Sequence, residues 1–163
     1  KILITTGPTV EAIDPVRFIS NNSSGKMGYA IAKMAKLMGA DVTVISGPTA
    51  LGAPTGAKLV QVKSADQMLE ACLKEVNHNH IFISAAAVAD YKPTQQSNHK
   101  IKKDNLDLSL ELSLNPDIVT QVKLKNPGIF TLALAAETQN IKEYGYKKLL
   151  KKNIELIAIK RRI

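Results

Sequence analysis

Three groups of residues have the types and spacing to do chemistry. The first is "SNNSSGKMG" at positions 20–28, where hydroxyls, amides and glycines lead into a run with helical spacing. Ser23 or Ser24 can cap such a helix, and the free amides near Gly25 and Lys26 would then form a positive helix end suited to phosphate. The same residues, with Asn21 and Asn22, can equally do no more than cap and turn. The second group is "SAAAVADY" at 84–91. Its small residues Ser84, Ala85 and Ala86 leave room for a ligand against the backbone, and Asp90 is placed to meet a ribose hydroxyl or a divalent cation, or simply to cap a turn. The third is basic: Lys100, Lys102 and Lys103 in a polar stretch, and Lys147, Lys148, Lys151 and Lys152 spaced i,i+4. Like-charged pairs at that spacing oppose helix formation by roughly 0.2–0.5 kcal/mol each. The helix C-terminus returns about 0.3–1 kcal/mol, so a bound polyphosphate is a positive reason for them while stability is not.

Several chemistries are excluded. A phosphate-binding loop of the G-x-x-x-x-G-K-[ST] type would need Gly at 20 and Ser or Thr at 27, where Ser20 and Met27 stand. The turn "TTGPT" after the first strand holds no G-x-G-x-x-G, which disfavours a dinucleotide oxidoreductase. His78, His80 and His99 lack metal-ligand spacing, and no serine or cysteine nucleophile motif is present. Cys72 is the single cysteine, so no internal disulfide forms and a reducing, cytoplasmic setting is favoured. It is expected to be a small core residue.

The elements that must position these groups alternate. "KILITT" and "DVTVIS" read as buried strands ending at Gly-Pro, with a helix from Gly25 to Met38 between them. "KLVQV" is a third strand, followed by a capping box at Ser64–Gln67 and a helix to about Asn77. "HIFISAAAVADY" is a fourth strand and its exit, and a lysine-rich loop runs from Pro93 to about Asn105. "LDLSLEL" alternates strictly and reads as a half-exposed strand. "NPDIVTQVK" should begin a helix with Asn115 as cap and Pro116 at its first position. "IFTLALAAET", a helix over 140–152 and "IELIAI" complete the series. The pattern predicts an α/β fold, a three-layer Rossmann-like or ribokinase-like parallel sheet with helices on both faces and a lysine-rich flap.

One core is what 163 residues supply, so a single domain is expected over 1–163. Lys1 opens directly on a strand, which points to a piece truncated at one or both ends. No apolar run reaches membrane-spanning length. The formal charge of +8 calls for an anionic partner. With 4% aromatic residues there is no stacking platform for nucleic acid, and small phosphorylated ligands fit better. A non-catalytic nucleotide- or nucleic-acid-binding module is the rival expectation, and a Rossmann oxidoreductase a third.

Taken together, "ILITTGPTVEAIDPVRFISNNSSGKMG", "SAAAVADYKP", "KIKK" at 100–103, "NPDIV" at 115–119, "AAET" at 135–138 and the lysines before Asn153 resemble the phosphopantothenate–cysteine ligases, in their bacterial CTP-dependent form. The resemblance runs in order along nearly the whole chain. It implies an amide ligase that joins 4′-phosphopantothenate and L-cysteine through an acyl-cytidylate, releasing pyrophosphate and then CMP, in coenzyme A biosynthesis. It implies catalytic roles for Asn21 in handling the acyl intermediate and for Lys100, on a lid, in cytidylate formation. Ser23, Ser24, Gly25 and Lys26 would bind substrate with Asn21. The nucleotide would be met by Ser84, Ala85, Ala86, Asp90, Lys100, Pro116, Asp117, Ile118, Val119, Leu134, Lys148 and Lys152. Leu134 stands where relatives often carry Phe. Mg²⁺ would bridge the phosphates, with Asp90 as its one candidate protein ligand. A homodimer is implied, as is a fused decarboxylase domain, which alone would use FMN. Neither nucleic acid nor a membrane is an expected partner.

Overall fold

The computed structural model describes residues 1–103, 108–137 and 139–161. The chain runs through β1 (Ile2–Thr6), β2 (Val10–Ala12), β3 (Phe18–Ser20), α1 (Lys26–Leu37), β4 (Val42–Ser46), β5 (Lys58–Gln61), α2 (Ala65–Glu75) and β6 (Ile81–Ser84). It continues through β7 (Tyr91–Pro93), β8 (Leu112–Leu114), α3 (Ile118–Lys125), β9 (Phe130–Glu137), α4 (Ile141–Lys152) and β10 (Leu156–Arg161).

Six strands pair in parallel in the order β10-β9-β6-β1-β4-β5. This is the order of doubly wound folds, in which the chain reverses direction across the sheet between β1 and β6 and ligands sit beyond the carboxyl ends of those strands. Strand β1 is buried from Leu3 to Thr6 because apolar layers cover both its faces. On one face Ile4, Val42, Val44 and Ile83 pack under Ala32 of α1. On the other, Leu3, Ile45 and Phe82 pack under Met68 and Cys72 of α2 and Val122 of α3. Each fully buried aliphatic side chain contributes roughly 1.5–3 kcal/mol. The parallel sheet with helices on both faces is therefore as expected, with Cys72 in the core. Burial pushes the Cys72 thiol up to about 12.

At the foot of β9, Lys123 is nearly fully buried. Its ammonium donates to the carbonyls of Pro127 and Ile129 at 3.0 Å each and to Glu155 Oε1 at 2.8 Å. Glu155 Oε2 accepts from the Thr131 amide at 2.7 Å, so this one pair joins α3, β9 and the connection into β10.

Several expectations are corrected. The stretch before α1 is a β2–β3 antiparallel hairpin, with Val10 opposite Ser20 and Ala12 opposite Phe18. Three-residue strands interrupted by Asp14 and Pro15 give no periodic signal. Of "LDLSLEL", residues 106–107 lie outside the described residues, 108–111 are irregular, and only Leu112 enters a strand. Its partner β7 ends at Pro93, which has no amide for the ladder, and a single bond from the Thr94 amide to the Glu111 carbonyl follows. The cap of α3 is Asp117 rather than Asn115, because the Asp117 carboxylate accepts from the Thr120 amide. The capping box of α2 forms as expected, Ser64 Oγ accepting from the Gln67 amide. The last strand begins at Leu156, two residues later than expected.

Candidate active site

The β1–β6 pairing does not stop at the sheet edge. The Ala85 amide donates to the Thr5 carbonyl, the Ala87 amide to Gly7, and the Thr9 amide back to Ala87. The Ala89 amide then closes on the Thr9 hydroxyl at 3.0 Å. Small residues at 85–87 permit this continuation, and it carries the 84–90 segment alongside the first loop to the sheet reversal.

Where this ladder ends, Asn21 arrives from the hairpin. Its Nδ2 donates to the Val88 carbonyl at 2.8 Å, and its neighbour Ser20 donates to the Thr9 carbonyl at 2.7 Å. Neither Ser23 nor Ser24 caps α1. The cap is Gly25 at φ 74°, a left-handed conformation that favours glycine. Ser23 Oγ instead accepts from the Gly25 amide at 3.3 Å, and the Ser24 carbonyl accepts from Thr49. The Gly25 carbonyl accepts from the buried Thr6 hydroxyl at 2.9 Å, which seats the helix end on the tip of β1. Gly28 completes the seat, since a methyl there would fall inside the envelope of the Thr6 side chain. The helix begins at Lys26, and first-turn amides have no intrahelical acceptor, so the end carries partial positive charge beside Asn21.

Asp90 is exposed, and its carbonyl is held by the Asn115 amide at 2.8 Å. Asn115 Nδ2 donates to the Ala89 carbonyl at 2.9 Å, while its Oδ1 is a buried acceptor without a partner among the described residues. Asn115 thus fastens the start of α3 to the 84–90 segment, bringing Pro116 and Asp117 close behind Asp90 in space. Ile118 and Val119 turn their side chains into the core, so only their backbone is available at the helix end. Asp117 Oδ1 also accepts from Lys152 of α4 at 3.0 Å. Burial alone would raise the Asp117 carboxyl, but the Lys152 ammonium and the Thr120 amide outweigh it and hold the carboxyl below its ordinary value. Leu134 is half-buried on the α1 face of β9, one residue beyond Ala133, the register partner of Ser84. In the i,i+4 series Lys147 pairs with Glu143, and Lys148 is exposed. Thr138 of "AAET" lies outside the described residues.

Lys100 is exposed on the loop between β7 and β8, which is tied down at Ser97 and Ile101. Its anchor is the turn of the β2–β3 hairpin, at the opposite end from Asn21, so the two catalytic candidates share a hairpin without touching. Asn21 lies four positions after Arg17, roughly 13 Å of extended chain.

Among the described residues no group of three His, Cys, Asp or Glu side chains is arranged to hold a metal. Exposed Asp90 suits at most one ligand of a cation held mainly by phosphates.

Asn115 entered the sequence reading only as a helix cap, and Thr9 and the Asp14–Arg17 pair escaped it. Asp-Pro-x-Arg, a turn former with a cation three positions on, was the available signal for the last of these.

A Rossmann-like α/β domain with a polar, backbone-rich ligand edge at its sheet reversal is the class that this fold and site define. The chain belongs to the family of the DNA/pantothenate metabolism flavoprotein C-terminal domain, whose model matches residues 1–161. It is 49% identical over 161 residues to the coenzyme A biosynthesis bifunctional protein CoaBC of Vibrio cholerae, covering 97% of this chain and 40% of that protein. It is 46% identical over 158 residues to the protein of the same name from Bacillus subtilis, covering 96% and 39%. The chain thus spans about two fifths of the length of these relatives. Among solved structures, the C-terminal domain of a coenzyme A biosynthesis bifunctional protein CoaBC superposes with a TM-score of 0.85 at 45% identity, covering 97% of this chain and 75% of that one. The DNA/pantothenate metabolism flavoprotein from Streptococcus pneumoniae superposes with a TM-score of 0.88 at 27% identity, covering 99% and 82%.

Proposed function

We propose that residues 1–163 form one nucleotide-binding ligase domain that makes the amide between 4′-phosphopantothenate and L-cysteine. The carboxylate attacks the α-phosphorus of CTP and pyrophosphate leaves. The cysteine amine then attacks the acyl carbon, CMP leaves, and the amine proton passes to solvent. A carboxylate is a poor electrophile, and the mixed anhydride supplies the leaving group. Such a site needs positioning and charge stabilisation rather than a protein nucleophile.

The observation that carries the reading is the Asn21 side chain held on the Val88 carbonyl where β1 and β6 part, beside the α1 end. There a second Nδ2 hydrogen remains for an acyl oxygen, with Ser23, Ser24, Gly25 and Lys26 around the acid. Ser84, Ala85, Ala86, Asp90, Leu134 and the Pro116–Val119 backbone would receive the nucleotide, and Lys100, Lys148 and Lys152 its phosphates. Mg²⁺ on the phosphates would neutralise charge and help pyrophosphate depart. Similarity to coenzyme A biosynthesis proteins supports the substrate class. The working form is a cytoplasmic homodimer fused to an FMN-dependent decarboxylase domain, and no helix among the described residues is long and apolar enough to cross a membrane.

The test mixes the full-length protein with CTP, Mg²⁺, phosphopantothenate and cysteine, and follows pyrophosphate and amide. Equimolar release of both is expected. Tight polynucleotide binding without pyrophosphate release would replace this reading with a binding module.

A further inference from the structure

The most heavily bonded carboxylate among the described residues belongs to Asp14, which lies outside the substrate and nucleotide groups named above. Its side chain has no exposed surface. Asp14 Oδ1 accepts from the amides of Val16 at 2.8 Å and Arg17 at 2.7 Å, and with the Ile13 and Asp14 amides on the Arg17 carbonyl these bonds complete the turn between β2 and β3. Asp14 Oδ2 does something the turn does not require. It accepts from Arg17 Nε at 2.9 Å and Nη2 at 2.6 Å, and from the Ile101 amide at 3.1 Å. Arg17 Nη2 also donates to the Ile101 carbonyl at 2.6 Å, so both backbone groups of that residue are gripped by the pair. The Ser97 amide donates to the Ile13 carbonyl at 2.9 Å and fixes the same loop four residues earlier. Lys100 lies between these two ties and next to the stronger one.

We propose that Asp14 is a positioning residue for Lys100, and that it makes the hairpin carrying Asn21 and the loop carrying Lys100 into one body. A long lysine on an untethered loop would sample many placements, and each must be given up when a triphosphate is bound. The clamp removes that freedom beforehand, at the backbone, leaving the ammonium free for the ligand. Charge-assisted bonds from a rigid guanidinium fork suit this task, because Nε and Nη2 converge on Oδ2 from fixed directions. The inference rests on the ligase reading for what Lys100 does, and on geometry alone for what holds it.

The experiment compares wild type, Asp14→Asn, Lys100→Gln and the double variant in the full-length protein. It follows pyrophosphate release, together with hydrogen exchange at the Ile101 amide. Asp14→Asn is expected to lose protection at Ile101 and about 100-fold in pyrophosphate release, the scale of a misplaced group. The double variant is expected to be no slower than Lys100→Gln, since a residue acting through Lys100 has nothing left to lose without it. Losses that multiply, or protection at Ile101 that survives the substitution, overturn the proposal. A wild type that releases no pyrophosphate overturns the ligase reading itself, and is thereby told apart from a failed clamp. Should Asp14→Asn not fold, Ile101→Pro deletes the donated amide while keeping Asp14, and the same non-additivity with Lys100→Gln is required of it.

Discussion

Asn21 Nδ2 donates to the carbonyl of Val88 at 2.8 Å, a bond that spans 67 positions of sequence and joins the hairpin exit to the segment that follows β6. Asp in place of Asn has no hydrogen to give, either to Val88 or to an acyl oxygen. Asn21→Asp is expected to release pyrophosphate near the normal rate and to form amide about 100–1000-fold more slowly, the loss typical of a missing oxyanion donor. Rapid-quench analysis should find the acyl-cytidylate accumulating, and amide formation at the normal rate would remove Asn21 from the second step.

Lys152 is held by Asp117 at 3.0 Å, and both are partly exposed. Such a pair contributes about 0–1 kcal/mol to stability. Lys152→Gln should therefore leave the denaturation midpoint nearly unchanged while raising the KM for CTP by about tenfold, the equivalent of one lost phosphate contact. Steady-state kinetics over a CTP series checks it.

Lys123 should behave oppositely. Truncation to Ala leaves the Pro127 and Ile129 carbonyls and Glu155 without their donor, while the solvent exposure of Glu155 softens the loss. Lys123→Ala is expected to destabilise by about 3 kcal/mol, the low end for a broken buried pair. Urea denaturation measures this, and a soluble variant should keep its KM for CTP.

Acid should unfold the protein through three carboxylates. Burial would raise Asp14, yet the amides of Arg17, Val16 and Ile101 and the Arg17 guanidinium bring it far below its ordinary 3.8. Glu155 lies below its ordinary 4.5 because Lys123 and the Thr131 amide outweigh burial, and Asp117 is lowered by Lys152. Folded values below unfolded ones stabilise the protein fully above the unfolded values, and that stability is lost as pH falls through the folded ones. The urea midpoint is expected to decline below about pH 4.5, and Asp14→Asn should flatten that decline at its acidic end.

The alternating strands and helices were legible because buried parallel strands are continuous apolar runs and Gly-Pro ends them, as at Thr6 and Ser46. The exit of β6 at Ser84 was legible too, from the small side chains that follow it. The hairpin was not, since Val10–Ala12 and Phe18–Ser20 are too short for any period to register. Caps misled where several candidates stood in a row: Gly25 prevailed over Ser23 and Ser24 through its left-handed backbone, and Asp117 over Asn115 because Asn115 is engaged with Ala89 and Asp90. Asp14 drew no reading of its own from the sequence, because Ile101, whose amide its carboxylate holds, is 87 positions away.

Strand β1 occupies the middle of the sheet, between β4 and β6. It is also the first of these three to leave a ribosome, and its second neighbour is complete only at Ser84. During synthesis the first βαβ unit can close early, yet one long edge of β1 stays unpaired until some forty further residues have emerged beyond Ser46. The nascent chain therefore carries a sticky apolar ribbon for that interval, and slowed translation across 47–80 should increase its need for chaperones.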